Sequence, residues 1–399
     1  MFSFVIAYII AIASLARRAV KSGCDSHHRK IVIFDADTDP RKHDSIVESC
    51  GGCVKKALPL INAAACVFRE EDQAMALLAR HGEVKWIEDD TVFAIVDTPA
   101  PDVRKCVRCF GVKRPGFSTQ TTPWGVTKID APSVWARATG KGVRVGVVDT
   151  GVNMSHPDLA VNVKAGFDAI SETEGVEDDN GHGTHVAGII AALDNGFGVV
   201  GVAPEAHIYA VKSFDSKGKG MASDIIQGIA WCIDQGVSII NMSFGTVDSG
   251  KALELAISKA AEAGVLLVAA SGNTGGQNTV LYPARDPNVV AVAASTQDDQ
   301  IAAFSSSGPE VDITGPGTDI YSTYAGQRYK TLTGTSMACP HVTGVAALIL
   351  SAVPGLSAKE LEELICETAT AMNGFPRDQQ GEGLVNARAA VASAIENRL

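Results

Sequence analysis

Residues 143–152 read VRVGVVDTGV. The first seven form a strand pattern, apolar apart from Arg144 until a terminal Asp149, so a carboxylate ends a buried strand and a Thr150-Gly151 turn follows it. Strand patterns of the same kind recur at Ile208–Lys212, Val237–Met242 and Val265–Ala270. Helical patterns at His182–Leu193, Ala222–Gln235 and Lys251–Ala263 alternate with them. A short helix is expected at Pro132–Thr139, closed by Gly140, and a long apolar one at Ser336–Val353, with Ser357 and Glu360 as a capping box for the next. Largely apolar strands alternating with helices predict an α/β fold from Pro123 onward: a mostly parallel sheet with helices on both faces.

Upstream the pattern differs. Lys30–Ala36 is β-rich, Asp39–Ser49 helical up to Gly51 and Gly52, Val54–Phe68 strand-like, and Glu70–Arg80 helical with Gly82 as its stop. Val84–Ile87 and Thr91–Val96 read as the closing strands. The βαββαβ order predicts a small α+β, ferredoxin-like unit over 28–98. Thr98–Ser118 carries Pro99, Pro101 and Pro115 among five basic residues and reads as a linker, bounded at 99–118.

The chain has 399 residues, 46% of them hydrophobic, enough for a sizeable core and against disorder. Its net charge of −11 argues against nucleic acid as a partner. Residues 1–118 hold 17 basic and 15 acidic side chains (net +2), while 119–399 hold 17 and 30 (net −13), which suggests two parts with different tasks. Of nine cysteines only Cys232, Cys339 and Cys366 follow residue 118, so the larger part relies on its core and not on bridges. Phe2–Ala16 is an almost unbroken apolar run of 15 residues before Arg17 and Arg18. It is shorter than the ~20 residues a spanning helix needs and has the length of a signal h-region without a basic segment before it. Residues 1–22 are therefore read as a leader or anchor, and the protein as secreted or envelope-associated.

Reactive side chains sit where elements meet. Asp149 ends a strand; Asn180-Gly181-His182-Gly183-Thr184-His185 opens a helix; Ala270-Ser271-Gly272-Asn273 follows a strand; Gly334-Thr335-Ser336 opens the long helix. Each alone is ordinary: a turn-forming Asp, a surface or metal-ligating His, an N-capping Ser. Together, at the strand ends where ligands of such sheets gather, they supply what acyl transfer needs: a hydroxyl, an imidazole to take its proton, a buried carboxylate to orient the imidazole, and an amide for the oxyanion.

In these motifs the chain resembles the subtilisin-like serine proteases, the subtilase family, over roughly 119–399. The likeness rests on VVDTGV at Val147–Val152, HPDL at His156–Leu159, NGHGTHVAG at Asn180–Gly188, GVAP at Gly201–Pro204, NMSFG at Asn241–Gly245, ASGN at Ala270–Asn273, GTSMACPHVTG at Gly334–Gly344 and GEGLVNA at Gly381–Ala387. The resemblance implies Ser336 as nucleophile, His182 as general base and acid, Asp149 as the orienting carboxylate and Asn273 as oxyanion donor with the Ser336 N–H. His185 would be structural. Ser243, Phe244 and Gly245 would pair with substrate backbone. Leu281 would floor the first specificity pocket, favouring an apolar residue before the scissile bond, and Ala222 would leave a more distal pocket roomy.

The resemblance also implies a structural Ca²⁺ held by Gln120, Asp158, Leu193, Asn195, Phe197 and Val199, an all-oxygen donor set of the kind calcium prefers. It makes 28–98 an inhibitory prosegment acting on its own peptidase domain (119–399), with protein or peptide substrates, a monomeric state and self-processing in two cuts, near Val96–Thr98 and Ser118–Thr119.

Two rival readings are weaker. A non-catalytic module of the same fold predicts a broken set of reactive residues, and none is missing. A nucleotide site prompted by Gly140-Lys141-Gly142 fails because the glycines precede their strand. The pairs Cys50/Cys53 and Cys106/Cys109, separated by 52 residues, read as a Cys₄ zinc site, as local redox-sensitive pairs, or as cysteines with no joint role.

Overall fold

The structure, a computed structural model, describes residues 29–96 and 119–398. The leader expected at 1–22, the linker at 99–118 and the pair Cys106/Cys109 lie outside the described residues. Two compact units are present, one of 29–91 with Gly250–Leu255, the other of Val92–Ser249 with the chain from Ala256 onward.

The small unit is a four-stranded antiparallel sheet in the order Gly52–Leu58, Ala63–Phe68, Arg29–Phe34, Val84–Asp89, with helices His43–Ser49 and Glu71–Leu78. Val32, Phe34, Ile46, Val47, Cys66 and Leu78 form its core. This is the expected split βαβ order, with two differences. Val54–Phe68 is not one strand but two, because Pro59 opens a 3₁₀ turn (Pro59–Ile61) and Asn62 takes φ +48°, reversing the chain. The run Thr91–Val96 does not close this sheet. Its strand, Val92–Ile95, lies between Lys219–Met221 and Phe244–Gly245 in a three-stranded antiparallel sheet of the large unit.

The large unit is built on an eight-stranded sheet. Its order is Ile313–Pro316, Val289–Ser295, Leu266–Ala270, Ile239–Met242, Arg144–Asp149, His207–Lys212, Val163–Asp168 and Thr173–Glu174, parallel throughout except for the last pair. Arg144–Asp149 is central, and Val145, Val147 and Val148 are wholly buried because helices cover both faces. Val145 and Val147 share one core with Val186 and Ile190 of helix His182–Ala191 and with Val342 and Val345 of helix Thr335–Ala352. On the opposite face lies helix Ala222–Asp234, with Cys232 against Gly146.

The expected helices and apolar strands form within a residue or two. The capping box is present, Ser357 N–H donating to Glu360 Oε2 at 2.7 Å and Glu360 N–H to Ser357 Oγ at 3.3 Å. Pro132–Thr139, expected as a helix, keeps only a 3₁₀ turn at Ala131–Val134. Strands Val163–Asp168, Val289–Ser295 and Ile313–Pro316, the hairpin Ile320–Tyr324/Arg328–Leu332 and helix Ala387–Glu396 were not anticipated. Several are short or rich in Gly, Ala and Pro, and gain strand character from a neighbour and not from propensity.

Candidate active site

Asp149 is the last residue of the central strand and His182 the first of its helix, and both are buried. His182 Nδ1 lies 2.7 Å from Asp149 Oδ1. A carboxylate only accepts, so Nδ1 carries the proton and Nε2 is the basic nitrogen. The two elements approach this closely because residue 183 is glycine. A Cβ there would stand 2.1 Å from the Gly151 carbonyl oxygen and 3.0 Å from Asp149 Oδ1.

Ser336, in the first turn of helix Thr335–Ala352, is also buried. Its Oγ donates to the carbonyl oxygen of Val96 at 2.5 Å and lies 3.1 Å from that of Ser243. Asn273 Nδ2 donates to the same Val96 oxygen at 2.8 Å. The Asn273 amide is aimed by Thr335, whose N–H and hydroxyl reach Asn273 Oδ1 at 2.9 and 2.8 Å. One carbonyl of the chain thus accepts from both the Ser336 hydroxyl and the Asn273 amide, two groups of the kind acyl transfer draws on.

The three-stranded sheet delivers that carbonyl. Phe244 pairs with Ile95, Gly245 with Ala94, Gly220 with Phe93 and Met221 with Val92. Ile95 N–H reaches Gly218 O at 3.0 Å. This is strand addition, in which backbone bonds supply grip and alternate side chains supply selection. Ser243 anchors the turn that carries Ser336, its Oγ donating to Ser336 O at 3.0 Å. Leu281 fills the space between two glycines: a Cβ on Gly245 would lie 2.9 Å from its Cβ and one on Gly272 2.8 Å from its Cγ. Phe93 is wholly buried, its ring edge-on to Phe244 at 6.0 Å, while Phe244 meets Phe214 at 4.9 Å.

A model of the subtilase family matches residues 140–387. The chain belongs to the subtilase family.

Among its relatives, Thermostable alkaline protease of Halalkalibacterium halodurans is 50% identical over 270 residues, covering 67% of this chain and 73% of that one. Subtilisin E of Bacillus subtilis (strain 168) is 38% identical over 400 residues, 98% of this chain and 97% of its own. Subtilisin Savinase of Lederbergia lenta is 44% identical over 272 residues, 68% of this chain and 99% of its own. This subtilase is a subtilisin-like serine endopeptidase, a hydrolase.

The oxygen-bearing residues expected around Ca²⁺ lie together. Asp158 Oδ2 accepts from Val199 N–H at 2.9 Å and from Tyr329 Oη at 2.8 Å, and Asp158 Oδ1 accepts from Asn195 Nδ2 at 3.1 Å. Gln120 Nε2 reaches Leu193 O at 2.7 Å and Val199 O at 3.3 Å. Phe197 donates its N–H to Asn195 Oδ1 at 3.1 Å and pairs with Thr119. Acceptor oxygens thus converge on two side-chain amides. A carboxylate, two amides and the Leu193 and Val199 carbonyls make an all-oxygen donor set whose chemistry fits calcium, with the amide oxygens here accepting from the Gly196 and Phe197 N–H groups at 3.2 and 3.1 Å.

His185 faces away from this chemistry. Its Nε2 lies 3.0 Å from the carbonyls of Ile320 and Lys330, and burial pulls its pKa down to about 3. Cys50 and Cys53 are free thiols, and no group of three or more His, Cys, Asp or Glu able to hold a metal occurs among the described residues. The sequence reading missed Thr335, Lys212 and Asp178. Lys212 Nζ donates to the carbonyls of Thr150 at 3.0 Å and Phe214 at 3.2 Å and to Asp179 Oδ1 at 2.6 Å. The available signal was the run Glu177-Asp178-Asp179-Asn180 just before His182, which looks like an ordinary solvated acidic turn.

Proposed function

We propose that this endopeptidase is made as a self-processing precursor that cuts its own chain after Val96. The observation that carries the reading is the Val96 carbonyl oxygen, held at 2.5 Å by Ser336 Oγ and at 2.8 Å by Asn273 Nδ2. Ser336 Oγ attacks the Val96 carbonyl carbon while His182 Nε2 takes the hydroxyl proton, with Asp149 holding the imidazole. Asn273, with the Ser336 N–H, stabilises the oxyanion. The intermediate collapses, the bond to Asp97 breaks as His182 protonates the leaving amine, and water hydrolyses the Val96 acyl-enzyme by the reverse proton path.

On this reading 28–98 is the inhibitory prosegment, 99–118 a linker and 119–399 the peptidase domain. The new carboxyl end at Val96 stays paired in the substrate groove and blocks it until degraded. The likeness to Subtilisin E runs over 98% of this chain and so takes in 28–98 as well as the peptidase domain, which supports the small unit as a regular part of such an enzyme, and the run Phe2–Ala16 supports export. Mass spectrometry of a processing time course should show an early break at Val96–Asp97 and a later trim near Ser118–Thr119. A single product beginning far from both points would refute the scheme.

Substrate choice follows the groove. The residue in the scissile position is Val96, aliphatic and buried, and Leu281 fills the space between Gly245 and Gly272, which supports an apolar residue before the cut. Burying a Val or Leu side chain there contributes about 1.5–3 kcal/mol. Three residues upstream, buried Phe93 packs edge-on against Phe244, which itself meets Phe214, and the small side chain of Ala222 would keep this distal site roomy.

Calcium at Gln120, Asp158, Leu193, Asn195, Phe197 and Val199 would tie the segment after Thr119 to the loop behind the His182 helix. Binding only the folded state stabilises by about 2.7 kcal/mol when free ligand is 100 times Kd. Chelation should therefore lower the Tm of the mature enzyme by about 5–10 °C, and Asp158→Ala should abolish most of that sensitivity. A melting curve unchanged by chelator would reject a structural cation here.

A further inference from the structure

Asp149 and His182 belong to different elements, so something must hold the loop after one strand against the first turn of a helix. Asp178 lies between them and is 6% exposed. Its Oδ1 accepts from Thr150 Oγ at 2.9 Å and from the N–H groups of Asn180 at 3.1 Å and Gly181 at 2.7 Å. Its Oδ2 accepts from the Thr184 N–H at 2.9 Å and the Thr184 hydroxyl at 2.5 Å.

Each hydroxyl has a single proton. Because Thr150 gives its proton to Asp178, its lone pairs are left for the N–H of Gly183, the residue after His182, at 2.9 Å. Because Thr184 gives its proton to Asp178, its lone pairs are left for the N–H of Asn153, on the Asp149 loop, at 2.9 Å. Two hydroxyls thus cross between the elements in opposite directions, and one carboxylate sets the sense of both. The Thr150 N–H in turn donates at 2.7 Å to Asp149 Oδ1, the oxygen that His182 Nδ1 also reaches at 2.7 Å.

We propose that Asp178 is a positioning residue for peptide hydrolysis, locking the Asp149–His182 geometry through the hydroxyls of Thr150 and Thr184. The proposal rests on the reading of Asp149, His182 and Ser336 as the reacting groups. The bland alternative is an aspartate that only stabilises its turn, which would lower the Tm and leave turnover per active site unchanged.

In Asp178→Asn an amide NH₂ takes the place of one carboxylate oxygen and faces either the three donors on Oδ1 or the two on Oδ2, so at least one backbone N–H meets a donor and a hydroxyl must turn. With active sites counted by a serine-directed fluorophosphonate, kcat should fall about 10–100-fold while KM stays within about twofold. Thr150→Ser should keep parental kcat, and Thr150→Val should fall like Asp178→Asn. The double variant Asp178→Asn/Thr150→Val should fall little further, since both act through one network. The threonine pair carries the test if Asp178→Asn does not fold. Parental kcat per titrated site in Asp178→Asn, or equal activity of Thr150→Val and Thr150→Ser, overturns the proposal alone. A parental enzyme that is not labelled at Ser336 overturns the reading beneath it as well.

Discussion

Ser336→Ala should fold, remain a full-length precursor and lose peptidase activity. The hydroxyl is the only side-chain group of residue 336, and its Oγ contacts are two carbonyl oxygens, those of Val96 and Ser243. Removing it deletes the proposed attacking atom, while the Val96 oxygen keeps its bond from Asn273. The structural cost is the loss of one hydrogen bond whose acceptor stays satisfied, about 0.5–1.5 kcal/mol. The expected fall in kcat is about 10⁶-fold, a figure that is subtilisin's own and is carried over by kinship. Gel analysis of the precursor over time, a peptide assay and fluorophosphonate labelling read the outcome together. Normal self-processing by the alanine variant would remove Ser336 from the mechanism.

Asn273→Ala should give the second largest effect, and a differently shaped one. The amide donor now on the Val96 oxygen is worth more when that oxygen carries the negative charge of the tetrahedral intermediate, so its loss should appear in kcat and leave KM nearly unchanged. The expected fall is about 10²–10³-fold, again subtilisin's own value for an asparagine in this role. Stability should drop too, by about 1–3 kcal/mol, because the N–H and hydroxyl of Thr335 lose the Asn273 Oδ1 acceptor. A rise in KM with kcat intact would mean that Asn273 binds the ground state and the oxyanion is held elsewhere.

The junctions that carry the proposed reactive residues were legible because each sits where a local pattern breaks. Asp149 ends an apolar run, His182 follows Gly181, Asn273 follows a buried strand, and Ser336 lies in the first turn of the longest helix among the described residues. Such breaks are visible along the chain because burial periodicity and junction glycines are properties of consecutive residues. Asp178, Thr335 and Lys212 were not legible. Their roles lie in hydrogen bonds to residues distant in sequence, such as Thr335 with Asn273 and Lys212 with Thr150. An aspartate that takes five hydrogen bonds and one that faces water have the same neighbours in sequence.

The sequence by itself determined the α/β alternation, the small unit ahead of it and the four element junctions that carry the Asp, His, Asn and Ser side chains. These follow from local hydrophobic period and turn chemistry, which need no partner to be read. Only the tertiary structure decided where Val92–Ile95 goes. As a strand pattern it fitted the sheet of the small unit, yet its N–H and C=O groups pair with Lys219–Met221 and Phe244–Gly245. A strand's residues specify that it will be extended and which face is apolar, but its hydrogen-bond partners are set by which edges lie open beside it in space. That choice of edge puts the Val96 carbonyl on Ser336 and Asn273.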